Sequence, residues 1–587
     1  MEFKSIEIKN FRNFKTLKVK IGNKNIFFGM NDIGKTNFLF ALRYLFDRDI
    51  RKQDLVDSDF HKRNVSSNIE IVVEIDISDI NSVDVQKLRA KLKGAISSND
   101  KKVYIKFEAT YNNQIKCAEI KIQWGSNRNK LRDMHSSNSF FEIDNVFNVN
   151  YINSYVDLHN LFRKNLRSLI KNVKEKEEVD NKTEMTIKAK VDEINQEIAN
   201  LSGIQTFQDK LTPAYKKMRD EKVSIRLKPY FVINNLYSNI IPFIHQDDDS
   251  NEYPAAGEGR KKLLTYAVYD ILSEDPEIEK KINIFLIEEP ETHLHRSMQS
   301  ALSHFLFGSN TNDNKMKYLF ISTHSSFVLS EMDGVNLVRL YNDDKIVAAS
   351  KSYIVPDEWK HAKKKLNRAL SEAIFADTVL LVEGESECIL FERVLTEIDP
   401  FYESKGIVIL SVEGVGFKPY VNILSALGIK YVIKTDNDVA KVPKANPVKY
   451  KQVGFERVNG LMKYINKSID SECILSVNNE LTEDSKLLQY RRQYYEENKE
   501  KLDVIRKKYR IFLSHSDLEE DLCDCLNKSR FCELLNENTA ADAIKRLKSK
   551  KHHKMVDLVS KLKKTDCNKI YHDYTFACLM EVCNETP

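Results

Sequence analysis

Two consecutive α/β domains are the fold that the sequence predicts, and three patterns in the 587-residue chain indicate it. A glycine-containing loop follows an apolar strand at residues 26–36, and a second apolar strand ends in acidic residues at 284–289. A third pattern, at residues 379–383, again runs four apolar residues into a glutamate. Open α/β sheets carry their ligand sites at the carboxyl ends of strands, so the patterns predict two separate sites.

Composition and charge indicate an ordinary globular protein in a reducing compartment. Apolar residues make up 42% of the chain and charged residues 30%, with a net charge of +5. The nine cysteines are scattered without the spacing of a zinc site or a disulfide framework. The N-terminus lacks an apolar signal region and no apolar run is long enough to span a bilayer, so we expect a cytoplasmic protein without a membrane segment.

The order of patterns along the chain predicts the domain boundaries. Alternating runs such as IEIVVEIDI (residues 69–77) and VYIKFEATY (residues 103–111) indicate strands with one buried face. A charge-rich helical stretch at 155–226 predicts an insertion that is a possible dimerisation arm. A basic connector suggests a linker at 351–375. We therefore expect one domain at 1–350 and a second domain at 376–587.

The segment GMNDIGKT, Gly29 to Thr36, fits the complete G-x-x-x-x-G-K-[ST] phosphate-loop pattern. The two glycines let backbone N–H groups approach phosphate oxygens, and the following helix N-terminus adds positive charge. Lys35 is expected to contact the β- and γ-phosphates of ATP, and the Thr36 hydroxyl to bind Mg²⁺. The residues of this segment that are predicted to bind the nucleotide are Gly29, Asn31, Gly34, Lys35, Thr36 and Asn37.

The remainder of an ATP site is expected much later in the chain. Glu288, at the end of IFLIEEPE, is predicted to hold the Mg²⁺ shell, and Glu289 to polarise a water molecule. His324 follows another buried strand, where it can contact the γ-phosphate. Taken alone, a histidine at this position is more often a packed loop residue, but the three motifs in this order favour a nucleotide site.

This order of motifs resembles the ATP-binding-cassette (ABC) ATPases of the SMC and Rad50 type. The resemblance makes Lys35 the Walker A lysine, Glu288 and Glu289 the Walker B pair, and His324 the switch histidine. Two positions depart from the family pattern. Glu288 stands where an aspartate is usual, and Ala256, in the signature-like segment 254–264, stands where a serine is usual. The departures predict that ATP is bound more than it is hydrolysed.

Acidic residues cluster at the ends of two further apolar strands. Glu383 follows residues 379–382, and Glu387 lies one helical turn later if the next segment is a helix. Asp436 and Asp438 follow a second strand and face the same side of an extended segment. Each cluster alone fits a solvated strand end, but two together suggest a site for a hard cation such as Mg²⁺.

This EGxxE and DxD arrangement resembles the Toprim domain of OLD (overcoming lysogenization defect) nucleases, in which the same ABC-type ATPase domain precedes the Toprim domain. The resemblance implies further acidic residues at Asp517 and Glu519. It also implies a catalytic lysine in the strongly basic run 545–564, at Lys551 with Lys550 as the alternative register. It implies two-metal cleavage of DNA with Mg²⁺ or Mn²⁺. The implied metal ligands are Glu383, Glu387, Asp436, Asp438, Asp517 and Glu519, with Glu383 and Lys551 catalytic.

Motifs along most of the chain, including NDIGKTNFL, IKTDND and FACL, resemble the OLD-family nucleases of the Gabija anti-phage defence system. That resemblance implies double-stranded DNA as substrate, an ATP site that restrains cleavage, assembly into a dimer or tetramer, and a UvrD-like helicase partner. Two alternatives stay open. An SMC-like DNA clamp would carry a non-catalytic Toprim domain, and a primase or topoisomerase would share the Toprim residues.

Overall fold

The structure is a computed structural model that describes most of the chain. Its described residues are 1–92, 95–137, 140–155, 161, 178–218, 226–227, 243–245, 252–254, 257–272, 280–307, 316–329, 332–355, 357, 360, 363–412, 416–442, 448–466, 473–477, 486–549 and 551–584. Within these ranges, none of the helices has the length and apolar character that crossing a bilayer requires.

Two sheets form the N-terminal half. An antiparallel sheet has the order β2-β1-β4-β5-β6-β7, and a second, mostly parallel sheet has the order β10-β13-β14-β3-β15-β16. The strands are β1 (Glu2–Phe11), β2 (Phe14–Lys20), β3 (Lys24–Phe28), β4 (Ile69–Asp76), β5 (Lys102–Asn112), β6 (Cys117–Gly125), β7 (Arg132–Asp133), β8 (Ser136–Ser137), β9 (Phe140–Phe141), β10 (Phe147–Ile152), β11 (Phe243–His245), β12 (Glu252–Pro254), β13 (Ile282–Glu288), β14 (Tyr318–Ser322), β15 (Val335–Asp343) and β16 (Lys345–Tyr353).

Seven α-helices are described in this half. They are α1 (Lys35–Phe46), α2 (Arg48–Arg51), α3 (Val83–Lys91), α4 (Glu178–Ala199), α5 (Ser202–Met218), α6 (Glu258–Leu272) and α7 (Arg296–Phe307). Helices α4 and α5 lie in the stretch 155–226 that was predicted to be helical, and the rest of that stretch is mostly outside the described residues. The dimerisation role proposed for it stays a prediction.

The burial of residues along the strands follows the pattern of apolar and polar residues in the sequence. In β4 and β5 the buried residues alternate with partly exposed ones, because one face of the antiparallel sheet covers a core and the other faces solvent. In β13 and β14 nearly every residue is buried, as expected for parallel strands covered on both faces. The four strands predicted in these segments are therefore confirmed.

The C-terminal half is built on a parallel sheet with the order β18-β17-β19-β22. Its strands, with a small hairpin, are β17 (Thr378–Val382), β18 (Ile407–Ser411), β19 (Lys430–Thr435), β20 (Val439–Lys441), β21 (Tyr450–Gln452) and β22 (Ile511–Leu513). The helices are α8 (Lys363–Ala373), α9 (Glu385–Ile398), α10 (Phe417–Ala426), α11 (Val453–Ile465), α12 (Leu487–Glu497), α13 (Lys499–Tyr509), α14 (Leu518–Leu526), α15 (Lys528–Leu535), α16 (Ala540–Ser549), α17 (Lys551–Val559), α18 (Lys564–His572) and α19 (Cys578–Val582).

The two halves share a packed seam. One continuous apolar core contains residues of β3, β13 and β14 together with residues of β17 and β19. Arg339 of β15, which is buried, donates to the Asp377 carboxylate at 2.8 Å and to the Gly428 carbonyl at 2.8 Å. The rings of Phe28 and Phe375 meet edge to face, with centroids 5.6 Å apart. The end of the strand before the phosphate loop therefore packs directly on the segment that leads into β17.

Candidate nucleotide and metal sites

The phosphate loop is held open by two glycines with positive φ. Gly29 has φ 148° and Gly34 has φ 104°, conformations that residues with a side chain rarely adopt. A Cβ at Gly34 would lie 2.0 Å from the Asn13 amide nitrogen, and one at Gly29 would lie 2.2 Å from the Leu340 carbonyl oxygen. The loop backbone therefore lies against its neighbours too closely for any residue but glycine, and it leads directly into helix α1.

The lysine of the loop is folded back onto the loop itself. Lys35 Nζ donates to the carbonyl oxygens of Gly29 and Met30, at 3.0 and 2.7 Å. Burial lowers the pKa of Lys35 to about 8, although the charges of Glu289, Asp32 and Glu291 oppose this shift. A buried ammonium that contacts only carbonyl groups has a strong electrostatic preference for an anion. This arrangement fits the phosphates of a nucleotide.

A polar cleft of about 820 Å³ lies in front of this loop. Its lining contains residues from both ends of the N-terminal half, so the fold brings the separate sequence motifs together. These residues are Asn31, Asp32, Gly34, Lys35, Thr36, Asn37, Glu289 and His324. The structure therefore gathers five of the six predicted loop residues, all except Gly29, with Glu289 and His324 around one space.

Glu288 ends strand β13 and is 7% exposed. One of its carboxylate oxygens accepts a hydrogen bond from the Tyr151 hydroxyl at 2.7 Å, and the other, Oε1, is buried without a hydrogen-bond partner in the described part of the chain. An unsatisfied carboxylate oxygen is costly to bury unless a cation or ordered water completes it. Glu288 therefore fits a role as an acceptor for a hydrated divalent cation.

Glu289 and His324 face each other, with 3.6 Å between the His324 Nε2 and the Glu289 carboxylate. Burial and the charge of Lys35 lower the pKa of His324, which keeps the imidazole neutral at physiological pH. Glu291 fixes the histidine segment, because its carboxylate accepts the His324 backbone N–H at 2.7 Å and the Thr323 hydroxyl at 2.9 Å. The position of His324 is therefore set by a further acid, Glu291.

Helix α6 contacts this site through a buried lysine. Lys262 is 1% exposed, and its ammonium donates to the carbonyl of Glu289 at 2.6 Å. Burial lowers the pKa of Lys262 to about 8. The helix carries part of the signature-like segment 254–264, but Ala256 lies outside the described residues. The lysine ties that helix to the loop after β13.

The second site lies at the carboxyl ends of β17 and β19. One Glu383 oxygen accepts the Thr435 hydroxyl at 2.5 Å and the Asp436 backbone N–H at 2.8 Å. The two strands are paired in parallel, so the residues that follow them meet at one edge. Glu387 is buried in the first turn of α9. The helix begins at Glu385, so Glu383 precedes it and Glu387 lies inside it.

Asp436 shows how closely these carboxylates approach one another. Desolvation raises its pKa well above the ordinary value, and the negative charges of Glu387, Glu383 and Asp438 raise it further. Like charges at such short range need a cation to remain ionised together. Asp436 accepts one hydrogen bond from the Ser514 hydroxyl at 3.0 Å. The charges of Glu387, Glu383 and Asp438 therefore all act on Asp436, and the role of these four residues as metal ligands stays a prediction.

Asp517 and Glu519 follow the neighbouring strand, β22. Asp517 follows β22 as the N-cap of α14, and Glu519 is 1% exposed in the first turn. Burial alone would raise the pKa of Asp517, but Lys548 at 3.0 Å and Arg491 at 3.2 Å hold it below its ordinary value. The Asp517 carboxylate is therefore already paired with two basic side chains of the protein.

Backbone contacts join the two acidic loops. The Asn437 N–H donates to the Ser516 carbonyl at 3.0 Å, and Arg491 bridges the carbonyls of both residues. Asp521 closes the second loop by accepting the backbone N–H groups of His515 and Ser516, at 3.0 and 2.9 Å. The loop that carries Asp436 and Asp438 is therefore fixed beside the loop that carries Asp517.

Basic side chains separate the acidic groups. Arg457 lies between Glu383 and Asp438, while Lys548 and Arg491 contact Asp517. In the described residues, no three His, Cys, Asp or Glu side chains are arranged as a metal-binding group. The predicted ligands lie near the ends of β17, β19 and β22, with these basic side chains among them. Their oxygen-rich chemistry and mutual repulsion nonetheless fit divalent cations such as Mg²⁺, which prefer carboxylate ligands.

The lysine predicted to be catalytic begins helix α17, but the side chain of Lys551 is outside the described part of the structure, and so is Lys550. Among the described lysines of this basic run, Lys548 at the end of α16 has an ammonium that contacts Asp517 and Glu520. Sequence reasoning found the run and did not single out this residue. It also missed Tyr151, Lys262 and Arg457, because each is isolated in sequence and is brought to its site only by the tertiary fold.

Comparisons with known proteins agree with both halves of the fold. Residues 1–329 match the AAA ATPase domain family, and residues 374–438 match the TOPRIM domain of overcoming-lysogenization-defect-like proteins. The predicted order of an ATPase domain and a C-terminal Toprim domain is therefore confirmed.

Three relatives show how far the likeness extends. Endonuclease GajA of Bacillus cereus (strain VD045) is 41% identical over 590 residues, which cover 99% of each chain. Endonuclease GajA of Bacillus cereus (strain HuB5-5) is 24% identical over 75% of this chain and 77% of its own. The Old nuclease of Escherichia phage P2 is 29% identical over 31% of this chain and 33% of its own. The near-complete match to the first relative shows that the chain belongs to the GajA family of endonucleases.

Proposed function

We propose that the chain is a DNA endonuclease that hydrolyses phosphodiester bonds at the carboxylate cluster of its Toprim domain, and that nucleotide binding at the ATPase site restrains cleavage. The observation that carries the proposal is the meeting of Glu383 and Asp436, whose backbone N–H donates to the Glu383 carboxylate at 2.8 Å, with the charges of Glu387 and Asp438 acting on the same aspartate. The family membership and the nuclease names of the relatives support the same reaction class. The anti-phage role that the sequence resemblance implies belongs to this proposal.

The residues of this site have different roles in the proposed reaction. Divalent cations bound by the carboxylates, Mg²⁺ or Mn²⁺, would activate a water molecule and stabilise the leaving oxygen. Glu383 and Asp436 are the central ligands, because a backbone hydrogen bond fixes one relative to the other. A lysine beside the cluster would stabilise charge on the scissile phosphate. The proposed outer ligands are Glu387, Asp438, Asp517 and Glu519.

Basic residues next to the cluster suggest how DNA is held. Helices α16 and α17 carry the run from Lys545 to Lys554, which includes Lys548 beside Asp517. Such residues bind phosphates without reading bases, so binding is expected to weaken steeply with salt. We propose double-stranded DNA as substrate, with a dimer or tetramer of this chain and a UvrD-like helicase as further partners.

The seam between the domains supports a regulatory role for the nucleotide. A cleft of about 680 Å³ is lined on one side by Gly29, Met30 and Ile33 of the phosphate loop and on the other by Thr378 and Ile407. The latter two begin β17 and β18, and β17 leads to Glu383 at its other end. A rearrangement of the loop on ATP binding would therefore act on the strand that carries a central ligand. Restraint requires that ATP bind the inactive arrangement more tightly than the active one.

Replacement of the central ligand is expected to abolish cleavage. Glu383→Gln should lower the Mg²⁺-dependent cleavage of plasmid DNA on the order of a hundredfold or more, because the neutral amide holds a cation poorly. Glu385→Gln is the matched control, since Glu385 lies two residues away and is exposed. Cleavage by Glu383→Gln at the wild-type rate would rule out the proposed site.

The nucleotide site is expected to act as a brake. Increasing ATP should suppress cleavage by the wild type but not by Lys35→Ala, which loses the phosphate contact, and a non-hydrolysable ATP analogue should suppress the wild type equally. Lys101→Ala, at an exposed position, should respond like the wild type. Cleavage that stays constant or rises with ATP in the wild type would contradict the regulatory role.

The identity of the catalytic lysine can be decided between Lys548 and Lys551. The contact of Lys548 with Asp517 favours Lys548, so Lys548→Met should reduce the cleavage rate about a hundredfold at saturating DNA. Lys551→Met should weaken DNA binding, most strongly at low salt, and reduce its salt dependence, with the maximal rate retained. The reverse result, with the rate lost only in Lys551→Met, would return the role to the residue that the sequence resemblance implies.

A further inference from the structure

Arg457 is a cation built into the carboxylate cluster. One guanidinium nitrogen, Nη1, donates to the Glu383 carboxylate and to the Thr435 hydroxyl, the latter at 2.7 Å. The other, Nη2, donates to the Asp438 carboxylate at 3.0 Å. The planar fork of the side chain thus bridges the acid that follows β17 and an acid that follows β19. A cation bound by the same two acids would need these oxygens.

Helix α11 is shaped to deliver this arginine. Its second residue, Gly454, donates its backbone N–H to the Asp438 carbonyl at 3.0 Å. A Cβ at Gly454 would lie 2.7 Å from the Asn437 Cα and 2.8 Å from the Asp436 carbonyl oxygen, so only glycine permits this contact. Arg457 lies three residues later, on the same face of the helix. The first turn of α11 therefore packs on the loop that carries Asp436 and Asp438, and this contact fixes the position of Arg457.

The ion pairs of Arg457 with Glu383 and Asp438 are partly exposed to solvent, so a divalent cation can replace them. The side chains of Arg457 and Glu383 are each 25% exposed, and that of Asp438 is 42% exposed. Ion pairs with this much solvent contact contribute little to stability. A divalent cation, with twice the charge and a preference for the same oxygens, can therefore displace the guanidinium.

We propose that Arg457 is a positioning residue that holds Glu383 and Asp438 in the metal-free protein and competes with the divalent cation for their oxygens. This inference rests on the proposed metal site and adds a residue that sets its affinity. The cation concentration needed for cleavage would then depend on how readily the arginine is displaced. Removing the arginine should make the site bind metal more tightly, whereas a purely structural residue would have no such effect.

The test is a titration of the full-length, nucleotide-free protein with Mn²⁺, followed by isothermal titration calorimetry. Binding that Glu383→Gln removes defines the Toprim site and separates it from other Mn²⁺ sites. Arg457→Met should bind Mn²⁺ at that site about tenfold more tightly than the wild type, because two ion pairs no longer have to break. Arg393→Met is the matched control, since Arg393 pairs with Glu397 away from the cluster, and its Mn²⁺ affinity should be unchanged.

Arg457→Lys is a second test variant, which keeps the positive charge of the side chain. A lysine ammonium cannot bridge two carboxylates with a planar fork, so its Mn²⁺ affinity should lie between those of the wild type and Arg457→Met. This variant carries the test if Arg457→Met fails to fold, as judged by its melting temperature in EDTA. Unchanged or weaker Mn²⁺ binding in the folded Arg457 variants would overturn the inference. A wild type without any binding that Glu383→Gln removes would instead overturn the proposed metal site.

Discussion

The repulsion between carboxylates at the ends of parallel strands is the constraint on which the Toprim half depends. Strand pairing of β17 with β19 places Glu383 beside Asp436, and the Asp436 N–H donates to the Glu383 carboxylate. The fold therefore maintains an arrangement that is unfavourable without a cation. Arg457, Arg491 and Lys548 supply positive charge at the surrounding positions, and the proposed divalent cations would supply it at the centre.

The nucleotide site follows the opposite logic, because here the protein positions positive and neutral groups for an anion. Lys35 is buried against carbonyl oxygens, and the loop backbone is held by glycines that no other residue can replace. Glu288 retains a buried oxygen without a hydrogen-bond partner among the described residues. Both sites are thus incomplete until a ligand of opposite charge arrives. The seam at Arg339 and Phe375 connects the two sites through packed structure rather than through a flexible linker.

The sequence predicts the parts of this molecule that are local in the chain. The strands before Gly29, Glu288 and Glu383 were identified because apolar runs end in polar residues, and the structure confirms these strands. The phosphate loop could be read because all its residues lie within one segment. The pairing of the two acidic loops could be expected from the general behaviour of parallel strands, although the register that sets Glu383 against Asp436 could not.

Residues brought in by distant helices were beyond such reasoning. Tyr151 meets Glu288 across a separation of 137 residues, and Arg457 meets Glu383 across 74. An isolated tyrosine or arginine in an amphipathic segment carries no signal of its role. The basic run at 545–564 was visible, but its lysines differ only in which helical face they occupy, and that depends on how α16 packs beside α14.

The most direct test of the account is a crystal structure of the protein grown with Mn²⁺, with the metal located by its anomalous scattering. The account predicts anomalous peaks within bonding distance of carboxylate oxygens of Glu383 and of the Asp436–Asp438 loop, with the Arg457 guanidinium displaced from between them. A map at saturating Mn²⁺ without a peak at this cluster, and with Arg457 still bridging Glu383 and Asp438, would contradict the assignment of these residues as the metal centre.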